Sequence, residues 1–161
     1  MASSEFKKLD SVWNHTRLSS FEKFTIFQRC VCMKLLYGLH TAWLSKSQRV
    51  KFDGFYARCI RKIIGVKSSY LSRISNKDVL KRVQAIPLGN LLLEQQLLYF
   101  GKIYRLSNDD IRRQLIFNDS SVSLKTSGNR SRGRPRAEWS KEVAFHARMA
   151  AIRYDSLEDM I

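Results

Sequence analysis

Acidic residues are scarce in this sequence: 14 Asp and Glu stand against 29 Lys and Arg, which leaves a net charge of +15 at pH 7. Such an imbalance excludes a surface indifferent to polyanions and makes nucleic acid the first partner to consider. Long apolar runs are also missing, because a charge or an amide interrupts each one within a few residues, so no bilayer-spanning segment and no membrane partner are expected. The opening "MASSEFKKLD" has no apolar stretch of the kind a secretory signal requires, and an intracellular place, nucleus or cytoplasm, is expected. Cysteine is limited to Cys30, Cys32 and Cys59, an odd number without paired C-x-x-C spacing. Helical spacing turns Cys30 and Cys32 about 200° apart, so they read as buried free thiols in a reducing compartment rather than metal ligands. His15, His40 and His146 are scattered, and neither a zinc site nor any cofactor is expected.

What is present is ordinary globular material: 161 residues, 44% hydrophobic and 11% aromatic. A chain of this length buries roughly two thirds of its unfolded surface, enough for one domain or one domain with an appendage. Apolar residues recur at helical spacing and strict alternation is nowhere sustained, so the expected class is all-α, an irregular helical bundle with a flexible basic loop and a C-terminal helix. A first helix is predicted from Glu5 to Asn14, and a second, capped by Ser19 or Ser20, runs to about Trp43. The third is capped by Ser45 or Ser47 and ended by Gly65. Ser75 with Asp78 opens a short helix, Pro87 separates it from a long apolar one, and Asn108 caps a further short one. Residues 118–134 read as a flexible basic linker, and a helix resumes after Pro135, with Asp155 capping a last turn. The domain expectation is therefore a helical domain at 1–117, the linker, and a C-terminal helical segment at 135–161.

Catalytic motifs are not found. No phosphate-cradling glycine loop with Lys-Ser/Thr and no G-x-S-x-G elbow occurs, and the nearness of Asp10, Ser11 and His15 lacks any oxyanion hole. Asp109-Asp110 invites a two-metal reading, but the pair opens a helix, where negative charge complements the dipole.

Cationic features are more informative. Between Ser45 and Arg82 stand eleven Lys or Arg against two acids, Asp53 and Asp78. Lys51, Arg58 and Lys62 lie seven and four residues apart, on one helical face able to track a phosphate backbone, with Arg61 among them. A second concentration is Arg130, Arg132, Arg134 and Arg136. Within it, Arg132-Gly133-Arg134-Pro135 matches the core of an AT-hook, an extended segment drawn into the narrow negative A·T minor groove. The same proline also suits the first position of a helix.

Three segments in order, "LLYGLHTAWLSKSQRVKFDGFYARCIRKIIGV" (35–66), "SRISNKDVLKRVQAIPLGNLLLEQQLLYFGKIYRL" (72–106) and "RSRGRPRAEWSKEV" (130–143), resemble the region downstream of the catalytic palm in reverse transcriptases of non-LTR (LINE-type) retrotransposons. That family has a Leu-Leu-Tyr-Gly segment with a nearby Trp, a basic F-x-x-R-C helix, a Q-L-L-x-x-G-H helix and a late R-G-R-P-x-x-x-W element. The resemblance implies a thumb and post-thumb segment of an RNA-directed DNA polymerase, which holds template and primer. It implies a nucleic-acid face of Lys51, Arg58, Arg61 and Lys62, then Arg132, Arg134 and Arg136, with Tyr37, Trp43 and Trp139 as packing residues. Gly101-Lys102 stands where the family has Gly-His, and fingers, palm and the catalytic aspartates are missing. The expected function is thus non-catalytic binding of RNA, DNA or their hybrid, in a truncated or domesticated element fragment. The alternatives are an AT-hook protein, part of a polymerase whose palm lies upstream as a partner, and a relic without function.

Overall fold

Phe6, Leu9 and Trp13 form one stripe of the first helix, α1 (Ala2–Trp13), and Phe6 and Trp13 are buried. The computed structural model describes residues 2–13, 15–118, 123–125 and 138–158, without the side chains of 152–158. All regular structure among them is helical, in agreement with the periodicity of the sequence. The chain divides into two compact units, one of Met1–Leu39 with Leu44–Leu92, the other of His40–Trp43 with Leu93–Ile161. Residues 1–117 therefore contribute to both.

In the first unit α2 (Ser20–Phe27) opens with a full capping box: Ser19 accepts from the Glu22 amide, and the Glu22 carboxylate accepts from Ser19 N–H at 2.8 Å. The one long helix predicted to reach Trp43 is instead broken. Gln28–Cys32 is π-helical, and the Met33 amide reaches the carbonyl of Gln28, five residues back. Val31, Cys32 and Leu36 are all buried across this wider turn. Helix α3 (Met33–Leu36) stops where Tyr37 leaves helical geometry and Gly38 adopts φ 77°, a left-handed conformation natural to glycine. A short 3₁₀ turn follows at Leu39–Thr41.

Helix α4 (Lys46–Ile63) is capped by Ser45, which forms a box with Gln48, and Gly65 at φ 70° closes its end as expected. Its apolar face, Tyr56, Cys59, Ile60 and Ile63, meets α1 and α2. Phe27 is the centre of this core. Phe6 meets it edge-on at 5.5 Å between ring centroids and Tyr56 stacks on it at 5.8 Å. Large side chains buried to this degree contribute about 1.5–3 kcal/mol each, so this aromatic trio with Ile60 and Val31 dominates the unit. Two short helices, α5 (Ser69–Ser72) and α6 (Asn76–Arg82), follow, and α5 was not foreseen.

Helix α7 (Leu88–Tyr104) gives Leu88 and Leu92 to the same core. Its remainder belongs to the second unit, with α8 (Ile111–Ile116) and α9 (Trp139–Glu158). There Phe100 packs near Phe117 and Trp139, and Val143 is fully buried. Within α7 Leu98 is exposed despite the helix's largely apolar circumference, while Gln96 is fully buried and donates its amide to the carbonyl of Ala42. A buried amide at a core position is tolerable because that carbonyl takes its proton. The α8 cap is Asp110 rather than Asn108, and Asn108 accepts from Arg113. Asp155 lies inside α9 and does not cap a separate turn. The segment read as a linker from residue 118 lies mostly outside the described residues, but Leu124 pairs with Phe117 as an antiparallel bridge and Asn118 N–H donates to Ser123.

Candidate nucleic-acid interface

The polar face of α4 carries Lys51, Arg58 and Lys62, all exposed. Burial of Tyr56, Cys59, Ile60 and Ile63 fixes the rotation of the helix, and the spacing then leaves the three cations outward in one row. Lys51 and Arg58 form no ion pair with a described residue, whereas Lys62 Nζ stands 2.5 Å from the carboxylate of Asp10 on α1.

Arg61, assigned by sequence to the same face, does not belong to it. It is only 5% exposed. Its guanidinium donates to the carbonyl of Lys67 at 3.0 Å and of Ile74 at 2.6 Å, to Ser72 Oγ at 3.3 Å, and through two nitrogens to Asn76 Oδ1. Position 61 lies about 80° from the row defined by 58 and 62, toward the turn that leaves the helix. A planar fork of five donors suits that turn, whose carbonyls would otherwise be left unpaired.

The loop and helix that Arg61 pins carry further cations at the surface, Lys67, Arg73, Lys77, Lys81 and Arg82. Of the eleven Lys and Arg between Ser45 and Arg82, nine are exposed; the others are Arg61 and the half-buried Arg49, whose Nε donates to the carbonyl of Leu44. Both acids of this stretch are hydrogen-bonded within the fold. Asp53 Oδ1 accepts from Gly89 N–H at 2.9 Å, in the first turn of α7. Asp78 accepts from Ser75 Oγ at 2.6 Å while its own amide donates to that hydroxyl, and the Ser75 contact holds its carboxyl below the ordinary range. Neither carboxylate neutralises the row on α4 by a direct ion pair.

Two residues here escaped the sequence reading. Tyr70 is 79% exposed, and the Arg73 guanidinium carbon lies 5.8 Å from its ring centroid. Arg73 holds φ 56°, a left-handed conformation that costs a residue with a side chain about 1–2 kcal/mol. The signal in the sequence was slight, a serine-rich "SSYLSRIS" without acids.

The remaining sequence candidates have structural work. Asp110 caps α8 and is gripped by Arg112 through Nε at 3.0 Å and Nη2 at 2.7 Å, which lowers its carboxyl to about 2. Asp10 is held by Lys62, and Ser11 Oγ donates to the Lys8 carbonyl, so neither is assembled with His15 into a catalytic group. Among the described residues no cluster of His, Cys, Asp or Glu is placed to hold a metal. The cysteines are free thiols; Cys32 and Cys59 are buried and burial pushes both up to about 12, but Cys30 is exposed, contrary to expectation. Tyr37, expected to pack, is 88% exposed. Trp43 and Trp139 do pack, Trp43 near His146 and Trp139 near Tyr99. A cleft of about 350 Å³ in the first unit, lined by Phe21, Phe24, Ile64, Arg82 and Gln84 among others, offers one cation and no acid. Arg130, Arg132, Arg134 and Arg136, with the AT-hook match, lie outside the described residues. No helix among the described residues is long and apolar enough to cross a membrane. Comparison with protein-family models, with curated proteins and with solved structures gives no match.

Proposed function

We propose that this chain is a non-catalytic nucleic-acid-binding module that engages phosphates through the outer face of α4, as the resemblance to the thumb region of LINE-type reverse transcriptases implies. The observation that carries the reading is the use of acids and bases in residues 45–82. Nine cations face solvent, while the Asp53 carboxylate accepts from the Gly89 amide and the Asp78 carboxylate from the Ser75 hydroxyl. A merely solvated charged face would intersperse both signs evenly, whereas this one presents nine exposed cations against one exposed acid, Asp78, along one helix and the segment after it. The partner is RNA, DNA or their hybrid, bound largely without regard to sequence because phosphate contacts carry no base information. An upstream polymerase palm is the partner that would give such a module an enzymatic context; the chain alone has no carboxylate constellation among its described residues for nucleotidyl transfer.

Binding of labelled duplex and hybrid oligonucleotides across a salt series tests this. Engagement of about five phosphates gives a slope of about −4 to −5 in log K against log salt on duplex. Replacing Lys51 and Arg58 with Gln together should flatten that slope by roughly 1.8 and weaken all sequences alike. A flat salt response of the unaltered protein, or loss confined to one sequence, overturns the phosphate reading. Adding a separate palm and looking for templated DNA synthesis asks whether the module serves a polymerase.

A further inference from the structure

We infer that Tyr70 and Arg73 form a stacking site for an unpaired base, so that the module prefers nucleic acid with a single-stranded stretch over blunt duplex. The inference rests on the nucleic-acid reading above and adds the form of the ligand.

Tyr70 is a large aromatic side chain left 79% exposed on a four-residue helix, in a segment with no acid from Lys67 to Lys77. What sets this exposed ring apart is the cation beside it, with the Arg73 guanidinium carbon 5.8 Å from the ring centroid. The backbone that carries this cation is in an unfavourable geometry. Arg73 sits at φ 56° and ψ 10°, where glycine or asparagine would be at ease, and its amide closes α5 on the Ser69 carbonyl at 3.0 Å. Strain of this kind persists where the surroundings over-determine it, and Arg61 does so by binding Lys67, Ser72, Ile74 and Asn76, on both sides of the pair.

The result is an exposed aromatic face beside a guanidinium, on a turn bracketed by Arg61 and flanked by the exposed Lys67 and Lys77. That combination matches the chemistry of single-strand recognition, in which a base stacks on an aromatic or arginine plane while nearby cations follow the backbone. A base inside a duplex is already stacked on both faces and has no face to offer.

The test measures anisotropy of labelled oligouridylate, oligothymidylate, an abasic strand of equal length and a blunt duplex. Wild-type protein is compared with Tyr70→Ala, Tyr70→Phe and Arg73→Gly. Tyr70→Ala should weaken the single strands roughly tenfold, leave the duplex unchanged and preserve the salt slope, because stacking releases no counterion. Tyr70→Phe should retain affinity, and the abasic strand should bind the wild type as weakly as oligothymidylate binds Tyr70→Ala. Arg73→Gly relieves the backbone and removes the guanidinium, so it should keep or raise the melting temperature while weakening single strands. Equal binding of single strands by wild type and Tyr70→Ala, or equal losses on strand and duplex, overturns the stacking site and leaves the phosphate reading standing. Absence of any binding by the wild type overturns both.

Discussion

Arg61 holds the side-chain oxygen of Asn76 from two nitrogens, Nε at 3.3 Å and Nη2 at 3.1 Å, across fifteen residues of chain. With the carbonyls of Lys67 and Ile74 on the same guanidinium, the end of α4 and the start of α6 are joined through one buried side chain. Arg61→Ala should destabilise the first unit by about 1–3 kcal/mol, since it removes a buried guanidinium from several part-buried acceptors at once. Arg61→Lys should recover only part, because a point ammonium cannot span the fork. Urea denaturation followed by circular dichroism measures both; wild-type stability in Arg61→Ala would remove the bracket from the account.

Asp10 moderates the α4 row by pairing with Lys62 at 2.5 Å. The pair is half exposed, so Asp10→Asn should change stability by less than about 1 kcal/mol. The freed ammonium should tighten duplex binding a few-fold and steepen the salt slope by up to about 0.9. Titrations at two salt concentrations distinguish this from no effect, which would place Lys62 outside the contacted face.

Asp53 is oriented against the first turn of α7, where the Gly89 amide donates to it and a methyl group on Gly89 would stand 3.3 Å from its other oxygen. A carboxylate at that end of a helix is favoured by the dipole as well as by the hydrogen bond. Asp53→Ala should therefore cost about 1–3 kcal/mol even though it makes the chain more basic. If stability instead stayed level while nucleic-acid affinity rose, Asp53 would be a surface charge and not a cap.

Helix type and most helix ends were readable because they are local: Ser19 or Ser20, Ser45 or Ser47, and Gly65 stand beside the ends they close, whereas the cap of α8 is Asp110 and not Asn108. The row Lys51, Arg58 and Lys62 followed from the same periodicity. Arg61 could not be read in this way, because its partners lie six to fifteen residues on, in a turn whose path no periodicity describes. The π-helical Gln28–Cys32 was hidden for a related reason: its apolar residues fit an ordinary helix until the break at Gly38 is known. Cys30 was misjudged from residue type, a tendency that exposure overrides at single positions, and Tyr37 from the family resemblance, which implied packing where the ring is exposed.

The thiols give a pH-dependent outcome. In native protein Cys30 should react rapidly with a thiol reagent at pH 8, and Cys32 and Cys59 only after unfolding. Below about pH 9 folded and unfolded chains both keep the two buried thiols protonated, so these groups leave stability independent of pH. Above that value the unfolded chain releases protons that the folded chain retains until about 12, and stability falls across the interval. Cys32→Ala with Cys59→Ala should flatten that part of the curve; an unchanged alkaline slope would assign it to other groups.

The bracket built by Arg61 also divides the basic residues of α4 by how freely they can drift. At positions 58 and 62 an exchange between arginine and lysine preserves the outward charge, and the two codons can interconvert over generations with little effect on the fold. At position 61 the same exchange should loosen the turn that carries Tyr70, so a substitution at a buried position is expected to reach the proposed stacking site from a distance.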